Sequence, residues 1–447
     1  MRVSFYGACR EVTGSNILLE GKDFKVLLEC GLFQGYKLSE ERNYSKFNFD
    51  PSSIDSVVVC HAHLDHTGRL SKLVKDGFGG PIFSTEPTRD LTKLVLDDNE
   101  KLMREEAEKE NHAPLYSIEN VEETMSLFNV IPYNKKVNIA KNVDLTFINA
   151  GHILGSAIAI IEAEDKKLVY TSDLGNNPSV LLDAPSTVES CDFLICESTY
   201  GGRVHEDVNK RKEQLSQIIR NTISGNGVLI IPSFAIERTQ ELLHDIEDFC
   251  TIDGCEKPAF YLDSPLAEKV TGVFRKYPQF LNMKIRDEHK DFDFFGLERL
   301  KITTSVTDSK SIRSQPNPKV IIAGSGMMNG GRILFHARDF LGDENNSILI
   351  VGYQSFGTLG RRILEGDKTV KILGEKINIF AKVLAIGSYS AHADSPQILD
   401  WVGNIRNLKK VFLVHGEIDQ SQILSQKLES KINVNVEIPQ LGGSYEL

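Results

Sequence analysis

The sequence predicts an α/β fold, and two observations predict it. Short apolar runs recur along the 447 residues and end in polar or glycine-rich turns, as in "SVVVCHAH", "DFLICESTYG" and "VFLVHGE". Such runs are typical of buried strands whose carboxyl ends carry functional loops. Amphipathic helical patterns, such as residues 207–223 and 236–249, separate several of these runs. Strands that alternate with helices in this way indicate layered sheets covered by helices.

The composition indicates a globular protein with a large core. Hydrophobic residues make up 41% of the chain and charged residues 25%, over a length sufficient for two or three domains. No apolar stretch approaches the roughly 18 residues of a membrane span, and the start "MRVSFYGACREVTG" reads as a strand rather than a signal peptide. The seven cysteines are irregularly spaced, which favours reduced thiols. We therefore expect a cytoplasmic protein without membrane association.

The charge is unevenly distributed. The net charge of −11 argues against simple electrostatic attachment to nucleic acid or to an anionic membrane. Residues 203–364, however, carry 22 Lys and Arg against 21 Asp and Glu. A polyanion would therefore meet the least repulsion on this middle segment.

The stretch "VVVCHAHLDHTGRL", residues 57–70, places three histidines and an aspartate within six positions after an apolar run. In an extended chain His61 and His63 face one side, while Asp65 and His66 can turn to a second side. Imidazoles and carboxylates suit Zn²⁺, and Mn²⁺ or Fe²⁺ also fit such ligands. The spacing therefore favours two metal ions over a chance histidine cluster on a surface loop.

Three further strand-end loops offer ligands for two ions. They are His152 in "NAGHILGSA", Asp173 in "YTSDLGN" and His415 in "FLVHGEID". Each alone would more often be a structural residue. Together with the histidine cluster they complete a set of seven candidate ligands.

These motifs resemble the metallo-β-lactamase-fold nucleases of the β-CASP family. The resemblance rests on "HAHLDHTG", "SDLG", "ESTYG", "SAHAD" and "LVHGE", and it continues through "PSFAIERTQELL", "YLDSPLA" and "AGSGMMNGGRILFH". The most similar subgroup processes RNA and includes the 3′-end endonuclease of the cleavage and polyadenylation machinery with its bacterial and archaeal relatives. The resemblance implies an αββα sandwich formed by residues 1–201 and 365–447, with a β-CASP α/β domain inserted at residues 202–364.

The resemblance also implies roles for the seven candidate ligands. His61, His63 and His152 would hold one zinc ion, Asp65, His66 and His415 a second, and Asp173 would bridge them. Asp65 also counts among the catalytic residues. A water between the ions would be the nucleophile, since two ions stabilise both oxygens of an in-line displacement at phosphorus.

Two residues far apart in the sequence match the family's proton donor. His392 in "SYSAHAD" would protonate the leaving oxygen, oriented by Glu197 in "ICESTYG". The alternative for Glu197 is a strand-end carboxylate that caps a backbone turn. A histidine at the position of His415 accompanies RNA substrates in this family, which favours RNA over DNA.

The inserted domain is expected to bind the substrate in a groove sized for single-stranded nucleic acid. Glycine-rich turns and arginines bind phosphate oxygens, although glycines at strand ends often only turn the chain. The predicted contacts are Ser233, Arg238, Ser325, Gly326 and Arg332, with Arg361 and Arg362 as further arginines.

One residue departs from the family pattern. Glu29 in "LLECG" stands where relatives have an aspartate that orients a metal-binding histidine, and its extra methylene must be absorbed locally. The sequence also shows no KH domain or ribonuclease J-like C-terminal domain, so RNA selection is expected to rest on the groove or on partners.

The sequence thus predicts a zinc-dependent ribonuclease that acts on single-stranded RNA by endonucleolytic or 5′-exonucleolytic cleavage, in RNA processing or degradation. Three alternatives stay open: a small-molecule hydrolase such as a thioesterase, a DNA-directed nuclease, and a non-catalytic RNA-binding subunit. The sequence leaves the oligomeric state open, and a homodimer is one of the states considered.

Overall fold

The chain folds into two compact units. The structure, a computed structural model, describes residues 1–35, 41–253, 258–288 and 300–447. One unit comprises Met1–Val204 with His392–Leu447, and the other comprises His205–Ala391. The sequence predicted the return to the first unit at residue 365. The difference arises because Lys382–Ala385 is a strand that pairs with Ser347–Ile350 of the inserted unit.

The first unit contains two seven-stranded sheets. Its strands are β1 (Arg2–Phe5), β2 (Ile17–Glu20), β3 (Lys25–Leu28), β4 (Ser56–Val58), β5 (Ile82–Ser84), β6 (Phe128–Val130), β7 (Lys136–Ala140), β8 (Val143–Asn149), β9 (Ala157–Ala163), β10 (Lys166–Tyr170), β11 (Phe193–Glu197), β20 (Lys410–Val414), β21 (Asn435–Glu437) and β22 (Ser444–Glu446). The strand order is β22-β1-β2-β3-β4-β5-β6 in one sheet and β21-β20-β11-β10-β9-β8-β7 in the other.

Helices cover the outer faces of both sheets. They are α1 (Leu64–Thr67), α2 (Leu70–Lys75), α3 (Glu86–Glu110), α4 (Ile118–Ser126), α12 (Ser395–Gly403) and α13 (Ile418–Ile432). The apolar side chains alternate along the strands: Val58 packs between the sheets, whereas Val57 and Val59 pack outward with Leu70 and Leu73 of α2. The outer face of the second sheet packs against α12 and α13 through Trp401, Leu424 and other residues. The first unit is therefore an αββα sandwich, which confirms the predicted fold class.

The inserted unit is a parallel sheet with helices on both faces. Its strands are β12 (Val228–Pro232), β13 (Ala259–Asp263), β14 (Leu300–Ile302), β15 (Lys319–Ala323), β16 (Ser347–Ile350), β17 (Thr369–Ile372), β18 (Glu375–Asn378) and β19 (Lys382–Ala385). Its helices are α5 (Arg211–Ser224), α6 (Arg238–Asp253), α7 (Pro265–Lys276), α8 (Met283–Glu288), α9 (Val306–Ser311), α10 (Ile333–Phe340) and α11 (Leu359–Leu364).

The sheet of the inserted unit runs in the order β14-β13-β15-β12-β16-β19, and β17 and β18 form a separate hairpin. Leu215, Leu242 and Ile246 of α5 and α6 pack on one face of the sheet. Ile333 and Ile363 of α10 and α11 pack on the other face. Two cores flank this sheet because its strands, such as "VLIIP", are apolar on both sides.

None of the helices in the described ranges is long and apolar enough to cross a bilayer. Six cysteines lie in the described part of the chain, and all six are free thiols. Five of them are buried, as expected for reduced cysteines in a core.

Candidate metal centre

The seven predicted ligands come together at one edge of the first unit. His61 and His63 follow β4, and Asp65 and His66 lie in α1. His152 follows β8, Asp173 follows β10 and His415 follows β20. Since β10, β11 and β20 are parallel neighbours, their carboxyl ends meet at the same edge of the sheet.

Two glycines allow the loops to approach this closely. A Cβ atom at Gly31 would overlap the backbone carbonyl of Asp65, and one at Gly175 would overlap the backbone of Gly151 and His152. The loop after β3 therefore touches α1, and the loop that bears Asp173 touches the loop that bears His152. Three other residues of the site, Glu29, Ser172 and His415, have positive φ angles of 59°, 50° and 49°. Backbone strain of this kind is concentrated at sites that the surrounding structure holds in place.

Four of the ligands form a first cluster. The imidazole nitrogens His63 Nδ1 and His152 Nε2 lie 3.3 Å apart. Asp173 Oδ2 lies 3.3 Å from His61 Nε2 and 3.4 Å from His152 Nε2. Donor atoms of these four residues all lie within 4.8 Å of one another, as one metal ion requires.

The other three ligands form a second cluster beside the first. His415 Nε2 lies 3.3 Å from Asp65 Oδ2, and His66 Nε2 lies 3.3 Å from Asp173 Oδ1. Asp65, His66 and His415 again offer donor atoms within 4.8 Å of one another. Because the two oxygens of Asp173 face different clusters, this carboxylate is placed to bridge them.

The spacing fits metal coordination. Ligands about 2.0–2.1 Å from a tetrahedral Zn²⁺ are separated by roughly 3.3 Å, which matches the distances in both clusters. In the described chain His61 Nε2 and Asp173 Oδ1 are buried without a hydrogen bond, although each faces another ligand. Buried polar atoms of native proteins are normally satisfied, so these residues fit a metal ion.

Burial places most of the histidines in the form that binds metals. Desolvation lowers the pKa of His61 to about 3 and that of His63 to about 4, and it lowers the pKa of His152 well below its usual value. These imidazoles are therefore neutral near pH 7. For His66, burial also favours the neutral form, but the carboxylates of Asp173 and Glu29 raise its pKa well above the usual value. A cation at this position would replace the proton that balances these carboxylates.

His392 and Glu197 form a hydrogen-bonded pair at the edge of the cluster. His392 Nδ1 lies 3.0 Å from Glu197 Oε1, and the same oxygen accepts from the backbone of Leu174 at 2.7 Å. The carboxylate is fully buried, whereas 14% of the His392 side chain is exposed. Burial lowers the pKa of His392, but the Glu197 carboxylate and the nearby Asp173 and Asp65 raise it to about 9.

The backbone also holds His392 in place. The amide of Ala393 donates to Leu174 O at 2.7 Å, and His392 forms a β-bridge with Gly175. Its ring centroid lies 4.6 Å from that of His152. The alternative expectation for Glu197 is also met in part, because Oε2 accepts from the backbone of Thr199 at 3.2 Å. Glu197 thus caps a turn and binds His392 at once.

Sequence reasoning missed hydroxyl groups that hold the ligands. Thr199 Oγ1 donates to His415 O at 2.9 Å, so it must accept the proton of His415 Nδ1 across 3.0 Å. Ser172 Oγ lies 3.1 Å from His61 Nδ1, and Ser15 Oγ lies 3.3 Å from His66 Nε2. The sequence offered one signal for these hydroxyl groups, which is that they lie close to the motifs in sequence. A hydroxyl group next to a metal ligand often orients that ligand.

The predicted RNA contacts lie in the inserted unit at the carboxyl ends of its strands. Ser233 follows β12, and its hydroxyl lies 3.0 Å from Thr239 Oγ1. Ser325 follows β15, and its hydroxyl accepts from the amides of Asn329 and Gly330. Gly326 is required because a Cβ atom there would collide with the ring of Phe234.

The arginines predicted to bind phosphate have partners within the inserted unit. Arg238 is buried and pairs with Glu241. Arg332 donates to Asp263 Oδ1 at 2.6 Å and to Thr303 O at 2.9 Å. The side chains of Arg361 and Arg362 pair with Glu365 and Asp367, respectively. A phosphate would have to share these guanidinium groups with their internal acceptors.

Three family profiles match successive parts of the chain. Residues 18–195 match the metallo-beta-lactamase superfamily domain, residues 239–363 match the Beta-Casp domain, and residues 376–439 match the Zn-dependent metallo-hydrolase RNA specificity domain. The third match includes the last residues of the inserted unit, which ends at Ala391, and continues into the first unit.

Characterised relatives match nearly the whole chain. Ribonuclease TTHA0252 of Thermus thermophilus is 37% identical over 96% of this chain and 96% of its own length. Transcription termination factor FttA of Methanococcus maripaludis is 32% identical over 98% of this chain and 71% of its own length. The crystal structure of a protein of unknown function from Enterococcus faecalis V583 matches with a TM-score of 0.55 over 100% of this chain and 99% of that one. At 11% identity, that likeness concerns the fold alone.

Proposed function

The chain belongs to the β-CASP family of metallo-β-lactamase-fold nucleases, and from this premise we propose that it is a zinc-dependent ribonuclease that hydrolyses phosphodiester bonds in single-stranded RNA. Family membership makes it a metal-dependent hydrolase. The observation that carries the finer proposal is the His392–Glu197 pair, which lies beside a cluster of seven metal-ligand side chains.

The proposed centre holds two zinc ions, with Mn²⁺ as an alternative metal. His61, His63 and His152 would bind one ion, Asp65, His66 and His415 the other, and Asp173 both. When bound, such ions supply Lewis acidity that activates water and stabilises negative charge on phosphorus oxygens. The two separated groups of ligands, joined by the oxygens of Asp173, support two ions rather than one.

His392 is the proposed general acid. Its Nδ1–H donates to Glu197, so Nε2 is the atom that would hold the proton for the leaving oxygen. Glu197 cannot rotate freely because backbone amides of Leu174 and Thr199 also bind its carboxylate. His392 is thus oriented by a fixed acceptor, as a general acid requires.

The RNA contacts proposed for Ser233, Arg238, Ser325, Gly326 and Arg332 differ in their support. Ser325 and Gly326 have less support, because the amides of Asn329 and Gly330 in their turn already donate to the Ser325 hydroxyl. Arg332 is 20% exposed and is better placed than Arg238, which is buried against Glu241. The carboxylate partners orient both guanidinium groups.

A second candidate role follows from the relatives named transcription termination factor. Those from Methanococcus maripaludis and Methanocaldococcus jannaschii are 32% identical over 98% and 93% of this chain. A nascent transcript would then be the substrate of the same site. Cleavage of an RNA emerging from a transcribing polymerase, compared with the same RNA free in solution, separates this role from general RNA degradation.

The proposed function is tested with metal-loaded protein and a single-stranded RNA that is labelled at either end and carries a 5′-phosphate or a 5′-hydroxyl. We expect cleavage that a chelator abolishes and added Zn²⁺ restores, and none by Asp173→Ala. Internal products indicate endonucleolytic cutting, and mononucleotides released from the 5′ end indicate exonucleolytic cutting. RNA that stays intact while a thioester or single-stranded DNA is hydrolysed would contradict the proposal.

A further inference from the structure

One carboxylate oxygen, Glu29 Oε1, is linked to a histidine of each cluster of the metal centre. Glu29 follows β3 and is fully buried. Its Oε1 accepts from the amide of Cys60 at 3.1 Å and from Ser172 Oγ at 3.1 Å. The same oxygen lies 3.4 Å from His66 Nδ1. Glu29 thus faces one histidine directly and a second histidine through a serine.

The serine contact fixes the direction of the hydrogen bonds. Ser172 Oγ lies 3.1 Å from Glu29 Oε1 and 3.1 Å from His61 Nδ1. A hydroxyl has one proton, and Ser172 donates it to Glu29 Oε1, the oxygen that also accepts from the Cys60 amide. The hydroxyl must then accept from His61 Nδ1–H, and the lone pair of His61 lies on Nε2. That atom is 3.3 Å from Asp173 Oδ2.

The contact between Glu29 and His66 determines in the same way which nitrogen of His66 faces the second cluster. With Nδ1 directed at Glu29, the opposite nitrogen of His66 lies 3.3 Å from Asp173 Oδ1. His61 and His66 therefore present Nε2 to different oxygens of one bridging carboxylate.

We propose that Ser172 is a positioning residue that couples the orientation of one ligand in each cluster to a single carboxylate: Glu29 contacts His66 directly, as the family resemblance implies, and reaches His61 through the Ser172 hydroxyl. The inference rests on the two-ion centre of the proposed function. The longer glutamate side chain and the serine hydroxyl work together, since the hydroxyl carries the contact from Glu29 to His61. Outer partners of this kind typically change metal affinity by about 10–100-fold.

Ser172→Gly is the sharper of two variants that test the coupling. Ser172 has a φ angle of 50°, a conformation that glycine adopts without strain. The variant is therefore expected to leave the thermal stability of the metal-free protein unchanged or higher. Affinity for Zn²⁺, measured by competition with a chromophoric chelator, should fall about 10–100-fold for one ion and stay within threefold for the other.

Glu29→Gln should lower the affinity for both ions, because a carboxamide oxygen is a weaker acceptor than a carboxylate oxygen for the contacts to Ser172 and His66. The carboxamide oxygen can still accept from Cys60, so the backbone contact is kept. Nuclear magnetic resonance of the imidazole nitrogens supplies a second readout. In the zinc-loaded wild type, His61 and His66 should both carry a proton on Nδ1, and Ser172→Gly should speed solvent exchange of this proton in His61 alone.

The outcomes separate this inference from the proposed function. If the wild type binds fewer than two ions, the two-ion centre fails and the coupling fails with it. If the wild type binds two ions but Ser172→Gly lowers the affinity for both or for neither, the coupling is wrong and the proposed function stands. The coupling is also wrong, and the proposed function stands, if Glu29→Gln lowers the affinity for only one ion. Should Glu29→Gln fail to fold, the ion selectivity and the proton exchange of Ser172→Gly still decide the question.

Discussion

His392 shows at the residue scale how one contact separates a general acid from a metal ligand. A donor atom of His392 lies within 4.8 Å of donor atoms of Asp173 and His415, so distance alone would allow it to bind a metal. Its Nδ1, however, is 3.0 Å from Glu197, a carboxylate that is itself held by backbone amides. This hydrogen bond favours a role for His392 as a proton donor rather than as a metal ligand.

His392→Ala is expected to lower kcat for RNA cleavage about 10²–10⁴-fold and to leave the metal content unchanged. The reason is that the variant loses the proton donor but none of the seven proposed ligands. Metal content is measured by elemental analysis, and His112→Ala, which changes an exposed histidine, is the matched control. Loss of an ion in the His392→Ala protein would make His392 a ligand and overturn its role as an acid.

At the residue scale, the hydroxyl group of Thr199 is expected to orient His415. Thr199→Val removes the acceptor of His415 Nδ1–H while keeping the shape of the side chain. We expect about 10–100-fold weaker binding of one zinc ion, measured by chelator competition. Thr199→Ser, which keeps the hydroxyl, should bind zinc as the wild type does. Equal affinity in the valine variant would exclude this role for Thr199.

At the scale of single elements, four side chains donate hydrogen bonds to one carboxylate at the end of β13. Asp263 Oδ1 accepts from Thr303 and Arg332, and Oδ2 accepts from Ser309 and His336 at 2.6 and 2.7 Å. This carboxylate ties β13 to α9, α10 and the chain after β14. Arg332 therefore belongs to a structural network as well as to the proposed RNA contacts.

Asp263→Asn is expected to destabilise the protein by about 3–5 kcal/mol, since it leaves buried donors without their charged acceptor. Burial raises the pKa of Asp263, but hydrogen bonds from His336, Ser309, Thr303 and Arg332 lower it to about 2, from an ordinary value of 3.8. A lowered pKa stabilises the fold above pH 4, and this contribution is lost as the pH falls through about 2.

The check is urea unfolding of the wild type and the variant, followed by circular dichroism at pH 6, 4 and 2.5. The difference between the two proteins should be largest at pH 6 and smallest at pH 2.5. Asp367→Asn removes an exposed ion pair with Arg362 and should change stability by less than about 0.5 kcal/mol. A difference that does not depend on pH would show that the charge of Asp263 is unimportant.

A single strand, β19, extends the inserted unit beyond the boundary expected from the sequence. The resemblance implied a return to the first unit at residue 365, since the strands just before His392 were expected to belong to the nuclease fold. The structure instead continues the inserted sheet with β19, a four-residue edge strand with the partly exposed sequence "KVLA". Short edge strands have a weak pattern because only one side of the strand is paired.

At the scale of the whole molecule, the sequence was informative about the strands, the ligands and the His392–Glu197 pair, and uninformative about the hydroxyl groups that hold the ligands. Apolar runs predicted an α/β fold and the resemblance implied the sandwich, because buried strands and metal ligands each restrict residue type strongly. The pairing of Ser172 with His61 spans 111 positions, and that of Thr199 with His415 spans 216. Serine and threonine are common in loops, so their sequence context carries no comparable signal.

Removal of the metal ions is expected to destabilise the first unit. Without ions, the buried carboxylates of Asp65 and Asp173 must be balanced by protons on neighbouring histidines. A ligand that binds only the folded state adds about 4 kcal/mol of stability at 1,000 times its dissociation constant. Amide hydrogen exchange in chelator-treated protein should therefore increase around His61–His66, His152, Asp173 and His415. Unchanged exchange at these loops would mean that the ions do not support the fold.

The division of the first unit into Met1–Val204 and His392–Leu447 orders the events of protein synthesis. The ribosome adds about 190 residues of the inserted unit after Glu197 and before His392 and His415, which takes roughly 10–40 s at about 5–20 residues per second. During that interval β20 is absent from the second sheet, and β11 has an open edge beside six histidine and aspartate ligands. The nascent chain thus acquires its proton donor and its last ligand only after the inserted unit has been synthesised. A hydrolase assembled in this order stays incomplete until that unit has been translated.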